Sequence, residues 1–432
     1  MDQEIIDAAD HGLDFWAFDN YAYIQDVPQI SNQKPLYEGF KEYLASPNKN
    51  RLKFAIAISP GESSAGGYIG GYWNSGEVPY LVSQFKDPQY LKVNGDRPVL
   101  FVLGAKDIAA NFPNWPQDHA FLNKQSEAAG LGDPIIIDTS MDVISSKNSG
   151  LDGLTTYGVM GNGAKPESGC TNDAGNPTPH CPFSSQSTKD ESNWATAAQS
   201  GLLTVPGLTP VNDPRALTTP YGFYVDQPTY TQWEQEVKDA FAFMKTNVSK
   251  TNPPIAVIYA WNELNEGGPG IIPTKQNGMM YLDAIKAVKS GTYPSNYQDI
   301  YNGDNTAISL AANPGYPNHW TNYFPVSAAG YFNNDEEISQ GIGESATLSV
   351  DNVTGFEVKA TKGPNRGKMQ VFIDGVSQGT VNVNSATWLP GQSVFKSSTL
   401  SPGTHVLKLY NVSTDEGATS IGIDQILVSK SR

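Results

Sequence analysis

Residues 255–274 read IAVIYAWNELNEGGPGIIPT, and this stretch decides how the rest of the chain is interpreted. The apolar run Ile255–Ala260 has the character of a fully buried strand. It ends at Trp261-Asn262, and two carboxylates follow, Glu263 and Glu266. Gly267, Gly268, Pro269 and Gly270 then preclude an immediate regular helix. A helical pattern resumes near Met279. The whole is one strand–loop–helix unit with its polar groups at the carboxyl end of the strand. Parallel α/β folds place their chemistry there.

Working outward, continuous apolar segments predict further strands at 14–18, 53–58, 98–103, 134–138, 153–157 and 202–206. Amphipathic stretches at 36–44, 79–82, 119–129, 194–200, 230–246 and 279–290 fall between or after them. Repeated βα units with buried strands mean a parallel sheet. The closure expected is a (β/α)8 barrel lacking its first strand. Only seven strands are legible, and the chain opens in a helix-like segment that would precede the second strand. Truncation of that first strand is the expectation.

Polar and aromatic residues recur at these strand ends: Asp19 and Tyr21, then Glu62 and the glycine-rich run to Trp73, then Asp138, Tyr157, Trp261 and Asn262. Each also has a plain reading as a cap or turn residue. Together they are the expected substrate-binding ring of a barrel mouth. The segment 160–191 reads as a long irregular loop, expected to lie over that face as a lid or substrate wall. It holds both cysteines, Cys170 and Cys181. A disulfide between them would stabilise the loop by roughly 3 kcal/mol; the alternative is two free thiols in a reducing compartment.

Residues 291–330, rich in Gly, Pro, Asn, Ser and Tyr, read as a connecting segment. From about residue 340 short alternating strands appear, separated by Gly363-Pro364, Asp374-Gly375, Pro390-Gly391 and Pro402-Gly403. That pattern is an all-β sandwich. The domain expectation is therefore 1–325 for a catalytic α/β domain and 326–432 for a β-sandwich.

A net charge of −16 with only 17% charged residues argues against nucleic acid or anionic membrane as a partner. It suits a neutral, hydroxyl-rich ligand. No apolar run approaches the roughly 20 residues needed to span a bilayer. No His-Glu-x-x-His pair, phosphate-binding glycine loop or Gly-x-Ser-x-Gly elbow occurs. Neither a metal nor an organic cofactor is expected.

The two glutamates fit glycosidic bond cleavage, which needs one carboxyl protonated and the other ionised. Neighbouring carboxylates push their pKa values apart, because ionising both is costly. A solvated helix face is the ordinary reading of glutamates three apart. It is a poor one between a buried strand and a glycine-rich loop.

The segment Ala260–Gly268 with Ile272-Pro273-Thr274 resembles the signature of glycoside hydrolase family 99 and its WbsX-like relatives. Gly12–Tyr21 resembles that group's second-strand segment, and Val205-Pro206 through Asp213-Pro214-Arg215 a further stretch. There Val211-Asn212 stands where the group usually has Gly-Trp. The resemblance covers roughly residues 1–290. It implies a cofactor-free, retaining, endo-acting hydrolase that proceeds through an anhydro-sugar. Glu263 would assist the sugar 2-hydroxyl and Glu266 would be acid, then base. Asp213 joins the expected substrate ligands. Leu264-Asn265 stands where the α-mannosidases of this family have Trp-His, so a different sugar is implied. Segment 361–375 with Leu400–His405 resembles the jelly-roll modules of polysaccharide-active enzymes, which bind carbohydrate or merely pack on the catalytic domain. The expectation is a monomeric, extracellular or cell-surface glycoside hydrolase. The alternative is a non-catalytic carbohydrate-binding or surface protein on the same scaffold.

Overall fold

The computed structural model describes residues 1–20, 34–60, 73–158, 170–171, 178–213, 215, 222–263, 270–275, 277–315, 319–323, 335–414 and 418–432. The chain divides into two compact units that interleave along the sequence. One holds Met1–Val159, Lys189–Leu208 and Val237–Tyr259; the other holds Met160–Thr188, Thr209–Glu236 and Ala260–Arg432.

The first unit is built on parallel strands. Phe15–Asn20, Lys53–Ile58, Arg97–Val102, Ile135–Asp138, Gly153–Leu154 and Leu203–Thr204 form one sheet in chain order. Pro206 cannot donate to a ladder. The chain resumes beyond it as Gly207–Leu208, paired in parallel with Val257–Ile258. All seven segments expected to be strands are therefore paired strands. Their order never reverses, unlike that of a doubly wound sheet.

Strand alternation sorts the side chains onto two faces. Ala55, Ala57, Val99, Phe101, Ile135, Ile137, Val205 and Ile255 share one buried cluster, with Phe15, Leu203 and Val257 packed against it. Residues of the first and last strands thus meet the same core, so the sheet curls. Phe15 and Phe101, two strands apart, stack with centroids 6.3 Å apart. The other face carries Trp16, Phe18 and Phe54 against Phe40 and Tyr43 of helix Lys34–Ala45. Among the described residues no pairing joins Phe15–Asn20 to Val257–Ile258. The architecture is a curled parallel α/β sheet, and the complete barrel is not formed by these residues.

Two expectations are corrected. The loop predicted over 160–191 gives way to helix Phe183–Ser200, which begins eleven residues ahead of the expected 194. Its buried stripe is Phe183, Gln186, Asp190, Trp194 and Ala197. The spacing is helical, but two members are polar, so the apolar pattern is diluted. The connecting segment expected over 291–330 contains strands Asn296–Asn302, Ile308–Ala311 and Thr321–Tyr323. Asn296–Asn302 pairs along its whole length with Gln425–Ser431. The β-sandwich thus starts some thirty residues ahead of the expected 326.

Among the described residues that sandwich is antiparallel, with eight strands in one sheet and three in the other. Strand Ser345–Lys362 is its spine. Its first half pairs with Gly403–Asn411 and its second half with Gln425–Ser431 and Leu389–Lys396. The change of partner falls at register shifts between Val350 and Gly355, where Asn352 takes a positive φ of 58°. Such bulges bend a strand so that it serves two neighbours. Leu348, Phe356, Val358, Val371, Leu409 and Val428 are among the residues that fill the core.

Candidate active site

In the first unit, three strand ends converge on a polar–aromatic cluster. Asp19 lies on the first strand, Tyr157 just beyond the fifth, and Tyr259 just beyond the seventh. The Tyr157 hydroxyl donates to Asp19 Oδ2 at 2.7 Å. The rings of Tyr157 and Tyr259 lie 4.4 Å apart, tilted by 49°. Gly158 is required twice over: its φ is +65°, and a Cβ there would stand 2.4 Å from the Tyr259 ring. Asp19 and Tyr157 are both partly exposed. A phenol held by a carboxylate at a strand end offers hydrogen bonds to hydroxyl groups, and adjacent rings offer faces to stack on.

Two other expected ligands serve the fold. Asp138 is fully buried. It accepts from the Ala105 N–H at 2.9 Å, the Ser140 N–H at 3.1 Å, and the Ser140 and Ser146 hydroxyls at 2.7 Å each. Three of those bonds pin the end of Ile135–Asp138 to the residues that follow it, and the fourth ties it to the start of helix Ala105–Asn111 after the neighbouring strand. Trp73 is buried against Phe112 and Trp115 and donates to the Asp118 carbonyl at 2.9 Å. Neither presents a surface to a sugar.

Glu77 was not anticipated. It closes the helical turn Trp73–Glu77 and leads into helix Val78–Phe85. Its side chain is 2% exposed. Burial raises its pKa to about 7, with no hydrogen bond to the carboxylate among the described residues. A carboxylic acid that keeps its proton near neutrality is uncommon. The sequence signal was faint, a single acid just before the apolar run Val78–Val82.

In the second unit, Trp261, Asn262 and Glu263 continue the chain beyond the seventh strand. Ile271 N–H donates to the Ala260 carbonyl and Ile272 N–H to the Trp261 carbonyl, each at 3.1 Å. The chain leaving at 260–263 is thereby tied to the chain returning at 271–272. Glu263 and Trp261 are partly buried and Asn262 is exposed.

Asp213 belongs to a buried ion network in the same unit. Arg215 grips it with two nitrogens, at 2.9 and 2.7 Å, and reaches Asp335 at 2.7 Å and Asp304 at 3.2 Å. The guanidinium lies 3.7 Å from the centroid of the Tyr224 ring, whose hydroxyl donates to Asp304 at 2.7 Å. Burial pushes both inner carboxyls up. Arg215 pulls Asp304 back below the usual range, and charged Asp304 then drives Asp335 well above it. Nearby, His180 bonds Asp226 at 2.8 Å and stacks on Tyr224. Cys170 and Cys181 form the expected disulfide.

Tyr21, Glu62 and Glu266 lie outside the described residues. Sequence reasoning missed Tyr259, Glu77 and the partners of Arg215. Tyr259 was hidden as one more apolar residue of a buried run. Among the described residues no group of three or more His, Cys, Asp or Glu is placed to hold a metal ion, and no helix is long and apolar enough to cross a membrane.

A parallel α/β unit with polar and aromatic residues at its strand ends, joined to a β-sandwich, is the class these features define. Residues 74–285 match the family model described as Glycosyltransferase WbsX, so this region is similar to the WbsX-like family. No curated protein matches the chain. Among solved structures, a family two carbohydrate esterase from Cellvibrio japonicus aligns at 9% identity and TM-score 0.23, over 32% of this chain and 34% of the esterase. This chain thus spans about a third of that enzyme. A family 35 carbohydrate binding module from Clostridium thermocellum aligns at 13% identity and TM-score 0.22, over 31% of this chain and 97% of the module. The carbohydrate-binding module CBM36, solved with calcium and xylotriose, aligns at 16% identity and TM-score 0.21, over 29% of this chain and 96% of the module.

Proposed function

We propose that this chain is a carbohydrate-active enzyme that hydrolyses glycosidic bonds in a polysaccharide or oligosaccharide. The observation that carries the reading is the exit of the seventh strand. Its ladder ends at Tyr259, within the Asp19–Tyr157 cluster, and four residues later the chain reaches Glu263. In this reading the curled sheet is a (β/α)8 barrel short of one strand.

Glu263 takes the proton of the sugar 2-hydroxyl, whose oxygen attacks the anomeric carbon. The bond to the leaving oxygen breaks as Glu266 protonates it. Glu266 then deprotonates a water that opens the anhydro ring, and the 2-hydroxyl recovers its proton from Glu263. Two displacements at one carbon retain configuration. In this reading Asp19 and Tyr157 bind sugar hydroxyls, and Trp261 and Asn262 are further candidates for substrate contact. The disulfide fits a protein acting outside the cell.

Transfer to a sugar acceptor is the second reading, supported by the description of the matched family. Reducing-end release from a panel of α-mannans and bacterial exopolysaccharides separates the readings. Wild type, Glu263→Gln and Glu266→Gln are compared, each shown to be folded. Hydrolysis predicts release by wild type and a loss of at least 10³-fold in each variant, about 4 kcal/mol of transition-state stabilisation. Elongated products formed with an added acceptor, without net release, would favour transfer. Release undiminished in both variants would sink the assignment of the glutamates. Glycan binding with neither release nor transfer would leave a binding protein.

A further inference from the structure

Trp388 in the β-sandwich is 52% exposed, yet it is not a loose surface residue. A Cβ on Gly363 would come within 2.4 Å of indole Cε3 and 2.5 Å of Cζ3. The φ of Gly363 is not in the left-handed region. Glycine is needed there for the room it leaves the indole, not for the turn. The guanidinium of Arg366 lies 5.4 Å from the ring centroid. That guanidinium is itself buried, bonded to Glu336 and, at 3.1 Å, to the Ser420 hydroxyl.

The two loops that meet here are stapled together. Gly363 N–H donates to the Val383 carbonyl and Ser385 N–H to the Gly363 carbonyl, each at 3.1 Å. The Asn384 amide donates to the carbonyls of Pro364 and Arg366 at 3.1 and 3.0 Å. A large flat ring is thus held rigidly while half its surface faces solvent.

We propose that Trp388 is the platform of a saccharide-binding site in the β-sandwich, one that stacks a pyranose ring of a neutral glycan. The occupant follows from the chemistry around the ring. Residues 384–392 read NSATWLPGQ, nine residues with no charge, in a chain of net charge −16. Such a surface does not attract nucleic acid, anionic lipid or an acidic peptide. Of the cations nearby, Arg366 is neutralised by buried Glu336 and Lys362 lies across the ladder from Leu389. A rigid aromatic face beside the neutral amides and hydroxyls of 384–392 suits the apolar C–H face of a sugar and its hydroxyl rim. Leu389, 40% exposed, extends the apolar surface beside it.

The test is affinity electrophoresis of the full chain carrying Glu263→Gln, so that hydrolysis does not erode the matrix. Gels contain xylan, α-mannan, mixed-linkage β-glucan or laminarin, with polygalacturonate as the anionic arm. The expected result is retardation by at least one neutral polysaccharide. Adding Trp388→Ala should weaken that binding at least tenfold, and Trp388→Phe should weaken it less. Circular dichroism and melting temperature show that each variant is folded. Three results would overturn the proposal: no neutral polysaccharide retards the chain, only polygalacturonate does, or the alanine variant is retarded as strongly as its parent. Each stands whether or not the strand-end glutamates prove catalytic.

Discussion

Asp19 and Asp138 close two strands of the same sheet and meet different fates. Asp138 is sealed, and three of its four hydrogen bonds come from residues at most eight positions away. Asp19 stays partly exposed and takes a phenol from 138 residues away, which itself leans on a third strand end. Local bonds from serines to a buried carboxylate finish a strand. A bond that links distant strand ends at a partly exposed position is what a site at those ends would require. The same residue type in the same topological position therefore carries no functional meaning until its partners are known.

The structural side of this contrast breaks most heavily at Arg215. Its side chain is 5% exposed and faces three aspartates. Arg215→Ala leaves buried carboxyls without their cation, a change that costs about 3–5 kcal/mol. The expected outcome in urea unfolding is a lower midpoint for the second unit. If the glutamates carry catalysis, any protein that remains folded keeps its kcat. An unfolding free energy within about 1 kcal/mol of wild type would mean that the network is not structural.

Glu77 lies between the two cases, buried like Asp138 but, among the described residues, without its hydrogen bonds. Its folded pKa is about 7 against 4.5 for the free side chain. Below the unfolded value both states hold the proton and stability is full. As pH rises through this window the unfolded state ionises first, and stability falls until it levels off above 7. The difference corresponds to about 3 kcal/mol. Glu77→Gln should flatten this fall between pH 4.5 and 7 and leave the acid limb as it was. An unchanged slope would mean that Glu77 is not the group responsible.

How much of this was legible follows from what each element is made of. The parallel strands were, because continuous apolar runs such as Lys53–Ile58 and Arg97–Val102 announce themselves. Helix Phe183–Ser200 was not, because Gln186 and Asp190 occupy its buried stripe. Strand Asn296–Asn302 was not, because its buried positions include Asp299 and Asn302. Glu263 could be proposed from its place just after the apolar run Ile255–Ala260, although the strand there, Val257–Ile258, is half-buried and not the fully buried strand that the run predicts. Trp73 misled, since a tryptophan beside a glycine-rich run looks the same in sequence whether it meets sugar or Trp115. The meeting of Asp19, Tyr157 and Tyr259 depends on strand order and curl, which no local pattern encodes.

Tyr157→Phe tests the functional side with the smallest change. The variant keeps the ring on Tyr259 and deletes only the hydroxyl that donates to Asp19 at 2.7 Å. A hydrogen bond to a carboxylate at a partly exposed site contributes about 1.5 kcal/mol, so the melting temperature should fall by only a few degrees. If the cluster binds sugar, the loss should appear in turnover as well, with kcat/KM down about tenfold. A rise in KM alone would mean that the hydroxyl holds substrate in the ground state; a fall in kcat would mean that it contributes in the transition state. Asp19→Asn sharpens the reading, because it keeps an acceptor for the phenol but removes the charge. Should both variants lower the melting temperature and leave kcat and KM untouched, Asp19 would join Asp138 as a residue that finishes a strand.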